Sequence, residues 1–208
     1  MIAKPETVLV VIDAQRAFVD PAGSLTRAFG VAEVQPGIDA FHRLCRHLGT
    51  RAAVESAIFV RSEYSPGQFT GGRLDHPMAE LCVPGRNVDC EWATGVAIAG
   101  GDHVVTKHHA DACESAAFRA AIDRIVAAGA RHIVLAGFQF TTCVAASALS
   151  TWQAVQGRGV SVAVLEHLTG ARASSYLRDT SGPSRVEATR QRLGSAGIAV
   201  INDTAWGH

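Results

Sequence analysis

HIVLAGFQFTTCVAASALSTWQAV, residues 132–155, is the stretch that decides the fold. It opens as an apolar, β-branched run of strand length, passes through a turn rich in aromatic residues and threonine, and continues from Thr142 as small and apolar residues that suit a helix. A strand without polar alternation is covered on both faces, which is the situation in a parallel sheet clothed by helices. Cys143 falls at the beginning of the helix that follows.

The same alternation extends in both directions. TVLVVI at residues 7–12 predicts a strand that stops at Asp13, and residues 36–48 carry Ile38, Phe41, Leu44, Cys45 and Leu48 at helical spacing. Further strands are predicted over 54–60, over 103–106 ending at Lys107, over 160–165 and over 198–201. Helices are predicted over 114–128, 142–155 and 184–193. Ala128-Gly129 and Ala196-Gly197 read as helix C-terminal turns. The pattern predicts an α/β fold: a doubly wound, Rossmann-like three-layer α/β/α arrangement with a mostly parallel six-stranded sheet, in one domain over residues 1–208. Residues 61–101 break the rhythm, with Pro66, Pro77, Pro84 and several glycines. A loop of that length in a compact domain is usually functional and is expected to wall or cover a site.

Composition narrows the function. Hydrophobic residues make up 48% and charged residues 18%, enough to build a large core. Nineteen basic and nineteen acidic residues cancel, so neither nucleic acid nor an anionic membrane surface is an expected partner. No apolar run approaches the ~20 residues of a membrane helix, and residues 1–5 lack a signal-peptide pattern. Five widely spread cysteines, an odd number, point to thiols in a reducing compartment; a cytoplasmic location is expected.

In open α/β sheets, sites gather at the carboxyl ends of the strands. Asp13, Lys107 and Cys143 all fall there. Helix polarity and a nearby ammonium would both favour the Cys143 thiolate. Asp13 would act as general base and then acid, and backbone N–H groups of the turn would hold an oxyanion, each worth about 3–4 kcal/mol. Each residue also has an ordinary reading. A cysteine on an apolar helix is usually a small buried hydrophobe, an aspartate after a strand caps a turn, and a terminal lysine is solvated. It is their coincidence at one sheet edge that points to thiol acyl transfer.

Three segments carry a resemblance. Residues 8–25 (VLVVIDAQRAFVDPAGSL), 103–118 (HVVTKHHADACESAAF) and 134–148 (VLAGFQFTTCVAASA) are similar to the isochorismatase-like cysteine hydrolase superfamily, which includes nicotinamidases and N-carbamoylsarcosine amidase. The resemblance implies Asp13 as acid/base, Lys107 as its cationic partner and Cys143 as nucleophile, with the backbone N–H groups of Gln139 and Cys143 forming the oxyanion hole. It further implies a cis peptide between Phe138 and Gln139, and homo-oligomers. The substrate implied is a small amide or ureido compound cleaved through a thioester, with no cofactor. Two departures stand out. Gln139-Phe140 replaces a smaller pair, which makes Phe140 a bulky pocket floor. Glu63 and Ser65 occupy the positions of the nicotinamidase Asp-x-His metal pair, and serine is a poor substitute for a histidine ligand, so no metal is expected. The alternatives are an isochorismatase-type enol-ether hydrolase, which would need Asp13 and not Cys143, and a catalytically silent binding module.

Phe18, Tyr64 and Trp92 are further pocket candidates, since planar ligands stack on such rings. Arg61, at the end of the second strand, is a candidate for a substrate carboxylate. His103, His108, His109 and Asp111 cluster without a four-ligand pattern and read as surface or supporting residues.

Overall fold

The computed structural model describes residues 6–50, 57–178 and 182–202. The chain enters strand β1 (Thr7–Ile12), passes through two short helices, α1 (Arg16–Val19) and α2 (Ser24–Phe29), and then a long one, α3 (Val31–Thr50). There follow β2 (Ala57–Ser62), an irregular segment, β3 (His103–Lys107), α4 (Ala116–Ala127), β4 (His132–Phe138), α5 (Ala145–Val155), β5 (Ser161–Gly170), α6 (Arg185–Ser195) and β6 (Ala199–Ile201). Residues 54–56 of the predicted second strand and the N-terminal residues 1–5 lie outside the described residues.

The six strands form one sheet in the order β3-β2-β1-β4-β5-β6, and every pairing is parallel. Period-two alternation sends Val8, Val10 and Ile12 to one face, against α4, α5 and α6 through Phe118, Ile122, Ala148 and Leu193. Leu9 and Val11 face the other way, toward Phe41, Leu44 and Leu48 of α3. Right-handed crossovers account for this division. From β1 to β3 the chain steps one way across the sheet, and its connections lie on the α3 face. After β3 it steps the other way, which places α4, α5 and α6 on the opposite face. The segment between β2 and β3 replaces a helix on the α3 face, where Leu81, Cys82 and Ala93 are buried.

Several boundaries differ from the sequence expectation. α3 begins five residues before Pro36, which sits inside it. α2 was not anticipated. β5 runs to Gly170 because its pairing with β4 shifts register, from Leu135↔Val164 to Gly137↔Thr169, and resumes beyond the polar Glu166-His167 pair.

The sheet reverses direction between β1 and β4, the position where open α/β sheets open a crevice at their carboxyl edge. The two strands approach closely there. A Cβ on Gly137 would stand 2.0 Å from the Ile12 carbonyl oxygen, and the Gly137 φ of +114° is one that side chains rarely adopt.

Candidate active site

Asp13, Lys107 and Cys143 converge at that carboxyl edge. Asp13 directly follows β1 and is fully buried, with φ at 54°, in the left-handed region where aspartate is better tolerated than most residues. Its N–H donates to the Val60 carbonyl (2.8 Å), which ties the turn to β2. Lys107, the last residue of β3, is also fully buried, and its Nζ lies 3.0 Å from Asp13 Oδ2.

An ammonium has three hydrogens to give. Lys107 Nζ donates to Ser62 Oγ (2.7 Å), Tyr64 OH (2.8 Å) and the His109 carbonyl (3.1 Å). Ser62 in turn donates to Asp13 Oδ1 (2.8 Å), and the Ser62 and Tyr64 hydroxyls are 2.6 Å apart. The lysine's hydrogens are thus committed elsewhere. Asp13 Oδ2 is held by charge and, among the described residues, accepts no hydrogen bond. A buried carboxylate oxygen without a hydrogen-bond partner is an unusual and costly state, and the Asp13 carboxyl acts electrostatically on the Cys143 thiol.

Cys143 sits in a π-helical turn, Phe140–Val144, that leads into α5; such turns recur at functional sites. The peptide between Phe138 and Gln139 is cis. The Gln139 carbonyl accepts the N–H groups of Thr142 (3.1 Å) and Val144 (3.2 Å), bypassing that of Cys143. The Tyr64 hydroxyl lies 4.0 Å from Cys143 Sγ. The residue is 8% exposed, packed on one side into the α4–α6 core and open on the other to a cavity.

The electrostatics depart from the sequence expectation. Burial pushes the Cys143 thiol above its ordinary pKa; Lys107 pulls it down, but Asp13 pushes it up again, and the net direction is upward. The resting sulfur is therefore a thiol beside a carboxylate rather than a preformed thiolate. Burial disfavours the Lys107 ammonium, yet Asp13 and Cys143 outweigh it and raise the lysine pKa. Tyr64 is raised as well, by burial first and then by Asp13, so its hydroxyl stays protonated.

The cavity has a volume of about 240 Å³. Phe18, Tyr64, Gln139 and Cys143 line it, together with Leu25, Phe29, Phe69, Met78, Leu81, Thr142, Ala110, Arg172 and Arg185. Three expected pocket residues lie elsewhere. Arg61 donates to Thr106 Oγ1 (3.2 Å) and pairs with Glu63. Trp92 packs edge-on against Phe59 and bridges to Gln15, and Phe140 is buried in the α4–α6 core.

Sequence reading missed Ser62, Gln15 and both cavity arginines. Gln15 Nε2 donates to the Ser62 carbonyl (3.0 Å) while its Oε1 accepts the Ser62 N–H (2.6 Å), clamping the end of β2 beside Asp13. Buried polar residues at strand ends were the available signal for Ser62 and Gln15. Nothing local marked Arg172 or Arg185.

The donor set beside the site does not fit a metal. Among the described residues no three His, Cys, Asp or Glu side chains converge, and Glu63 is engaged by Arg61.

A parallel α/β sheet with an acid, an ammonium and a thiol beneath an apolar cavity at its switch point defines a hydrolase domain of the doubly wound class. The chain belongs to the isochorismatase family: the model of the Isochorismatase domain matches residues 7–181. No curated protein matches the sequence. Among solved structures, the chain is similar to the pyrazinamidase of Pyrococcus horikoshii in complex with zinc, at 18% identity over 96% of this chain and 100% of that one, with a TM-score of 0.63. It is similar to N-carbamoylsarcosine amidase from Thermoplasma acidophilum at 19% identity, 97% and 99% coverage and a TM-score of 0.63. A nicotinamidase and pyrazinamidase of Acinetobacter baumanii gives 15% identity, 96% and 97% coverage and a TM-score of 0.66. At these identities the likeness is one of fold. Among the described residues no helix is long and apolar enough to cross a membrane.

Proposed function

We propose that this hydrolase cleaves the C–N bond of a small amide or ureido compound through a thioester on Cys143. The observation that carries the reading is the open Asp13 Oδ2 beside a protonated thiol at the floor of the cavity. As sulfur adds to the substrate carbonyl carbon, the thiol proton passes to Asp13 Oδ2, so no free thiolate is needed beforehand. The oxyanion is received by the backbone N–H groups of Gln139 and Cys143, both of which border the cavity. When the C–N bond breaks, the Asp13 proton leaves with the nitrogen as ammonia or an amine. Water then adds to the thioester and gives a proton to Asp13. The C–S bond breaks, the acid is released, and Asp13 returns the proton to sulfur.

Lys107 Nζ lies 3.0 Å from Asp13 Oδ2 and Ser62 donates to Oδ1, and the two contacts fix the orientation of Asp13. The apolar walls exclude water, which strengthens each of these interactions. The test is kinetic. Cys143→Ala and Asp13→Asn are each expected to lose at least ~10³-fold in kcat on any amide the enzyme turns over, with the fold retained by circular dichroism. An unimpaired Cys143→Ala enzyme selects the enol-ether hydrolase reading instead.

A further inference from the structure

The cavity that exposes Cys143 is lined mostly by apolar side chains, and Arg172 and Arg185 both contribute to its lining. Arg172 stands two residues beyond β5, and Arg185 is the first residue of α6. Among the described residues no aspartate or glutamate shares that lining. Asp13 is paired with Lys107, so that buried pair brings the arginines no net charge.

Among the described residues neither guanidinium is tied down by a hydrogen bond. The Arg172 carbon lies 4.2 Å over the Phe29 ring, which covers one face and leaves the N–H edges open. Glu33 Oε1 is 4.0 Å from Arg172 Nε, at the limit of an ion pair. Glu33 is already engaged by the N–H and hydroxyl of Ser174. Among the described residues the side chains of Arg172 and Arg185 donate no hydrogen bond, and Arg185 has no ion pair. Two guanidinium forks free of hydrogen bonds at a mostly apolar cavity match a planar anion.

We infer that Arg172 and Arg185 form a carboxylate subsite, so that the substrate is a small amide carrying a carboxylate remote from the scissile carbonyl. The inference rests on the amide-hydrolase reading of the same cavity. The volume, below the ~300–1,000 Å³ of drug-sized pockets, suits a compact amic or ureido acid. Arg61, the carboxylate binder expected from sequence, is paired with Glu63 outside this cavity.

The test compares succinamate with succinamide, probes of nearly equal size that differ in charge. Wild type is expected to favour succinamate at least ~10-fold in kcat/KM. Arg172→Gln/Arg185→Gln should lose that preference through a raised KM for succinamate, and Arg172→Lys/Arg185→Lys should recover part of it. Equal use of both probes by wild type, or a preference that survives in the Gln/Gln variant, overturns the subsite. A parallel experiment separates this failure from failure of the underlying reading: peptide-resolved labelling of Cys143 by iodoacetamide in the presence of succinate. Protection in wild type and its loss in the Gln/Gln variant support the subsite even if neither amide is cleaved. Labelling that succinate does not slow overturns the subsite and leaves the thiol reading standing. A Cys143 that does not label at all overturns both.

Discussion

Asp13 and Lys107 meet at 3.0 Å with no exposed surface on either, while Lys107 Nζ donates to Ser62 Oγ, Tyr64 OH and the His109 carbonyl. Charge neutralisation and hydrogen bonding, which normally coincide in a buried pair, are divided between different atoms. The ammonium lies against the acid, Ser62 occupies Oδ1, and in the proposed mechanism Oδ2 receives the thiol proton.

Removing one partner of such a pair strands a buried charge. Lys107→Met is expected to cost about 3–5 kcal/mol of stability, whereas Lys107→Met/Asp13→Asn, which removes both charges, should recover a substantial part of that loss. Urea denaturation of the three variants checks the expectation. A double variant no more stable than Lys107→Met would show that the cost lies in packing rather than in charge.

The upward shift of the Cys143 thiol has a readable sign. Labelling by iodoacetamide requires thiolate, so the Cys143 rate should keep climbing beyond the pH ~8.5 midpoint of an ordinary thiol. Burial is the main cause, Lys107 opposes it and Asp13 adds to it. Asp13→Asn should therefore move the profile to lower pH, and Lys107→Met should move it higher. Opposite displacements would contradict the assigned electrostatics.

Ser62→Ala deletes the hydroxyl that orients Asp13 and accepts from Lys107. The freed N–H of Lys107 is expected to turn to Asp13 and occupy the proton-accepting oxygen. On an amide substrate this predicts a kcat reduced by ~10–100-fold, about 1.4–2.7 kcal/mol of barrier, with KM altered by less than threefold. Retained kcat would remove Ser62 from the positioning network.

Gly137→Ala should be among the most damaging single changes outside the cluster. Its Cβ would be placed 2.0 Å from the Ile12 carbonyl at a φ of +114°. A loss upward of ~4 kcal/mol, the far end of point-mutation effects, is expected in denaturation, or no folded protein at all. A fold stable to within about 1 kcal/mol of wild type would show that β1 and β4 separate readily.

Much of this architecture is legible in the residues alone. TVLVVI and HIVLAG declare buried parallel strands, and a parallel sheet carries their ends, with Asp13 and the turn before Cys143, to one edge. The parts that escaped depend on three-dimensional register. Arg61 and Ser62 are neighbours at the end of β2, but alternation sends Ser62 toward Asp13 and Arg61 toward Thr106; a one-residue slip in reading exchanges their roles. SLTRAF, residues 24–29, has too few turns to show helical periodicity, so Phe29 gave no sign of reaching the cavity. Arg172 follows a register shift that the sequence does not announce. The thiol's elevated pKa reflects the degree of burial, whereas helix polarity and the lysine alone suggested the opposite direction.

The most direct test is peptide-resolved mass spectrometry of rapidly quenched enzyme during turnover of a panel of small amides and ureido acids. The account predicts an acyl group in thioester linkage on Cys143, accumulating when Asp13→Asn slows its hydrolysis more than its formation and absent from Cys143→Ala. Steady turnover with no acyl group on Cys143, matched by an active Cys143→Ala enzyme, would contradict it.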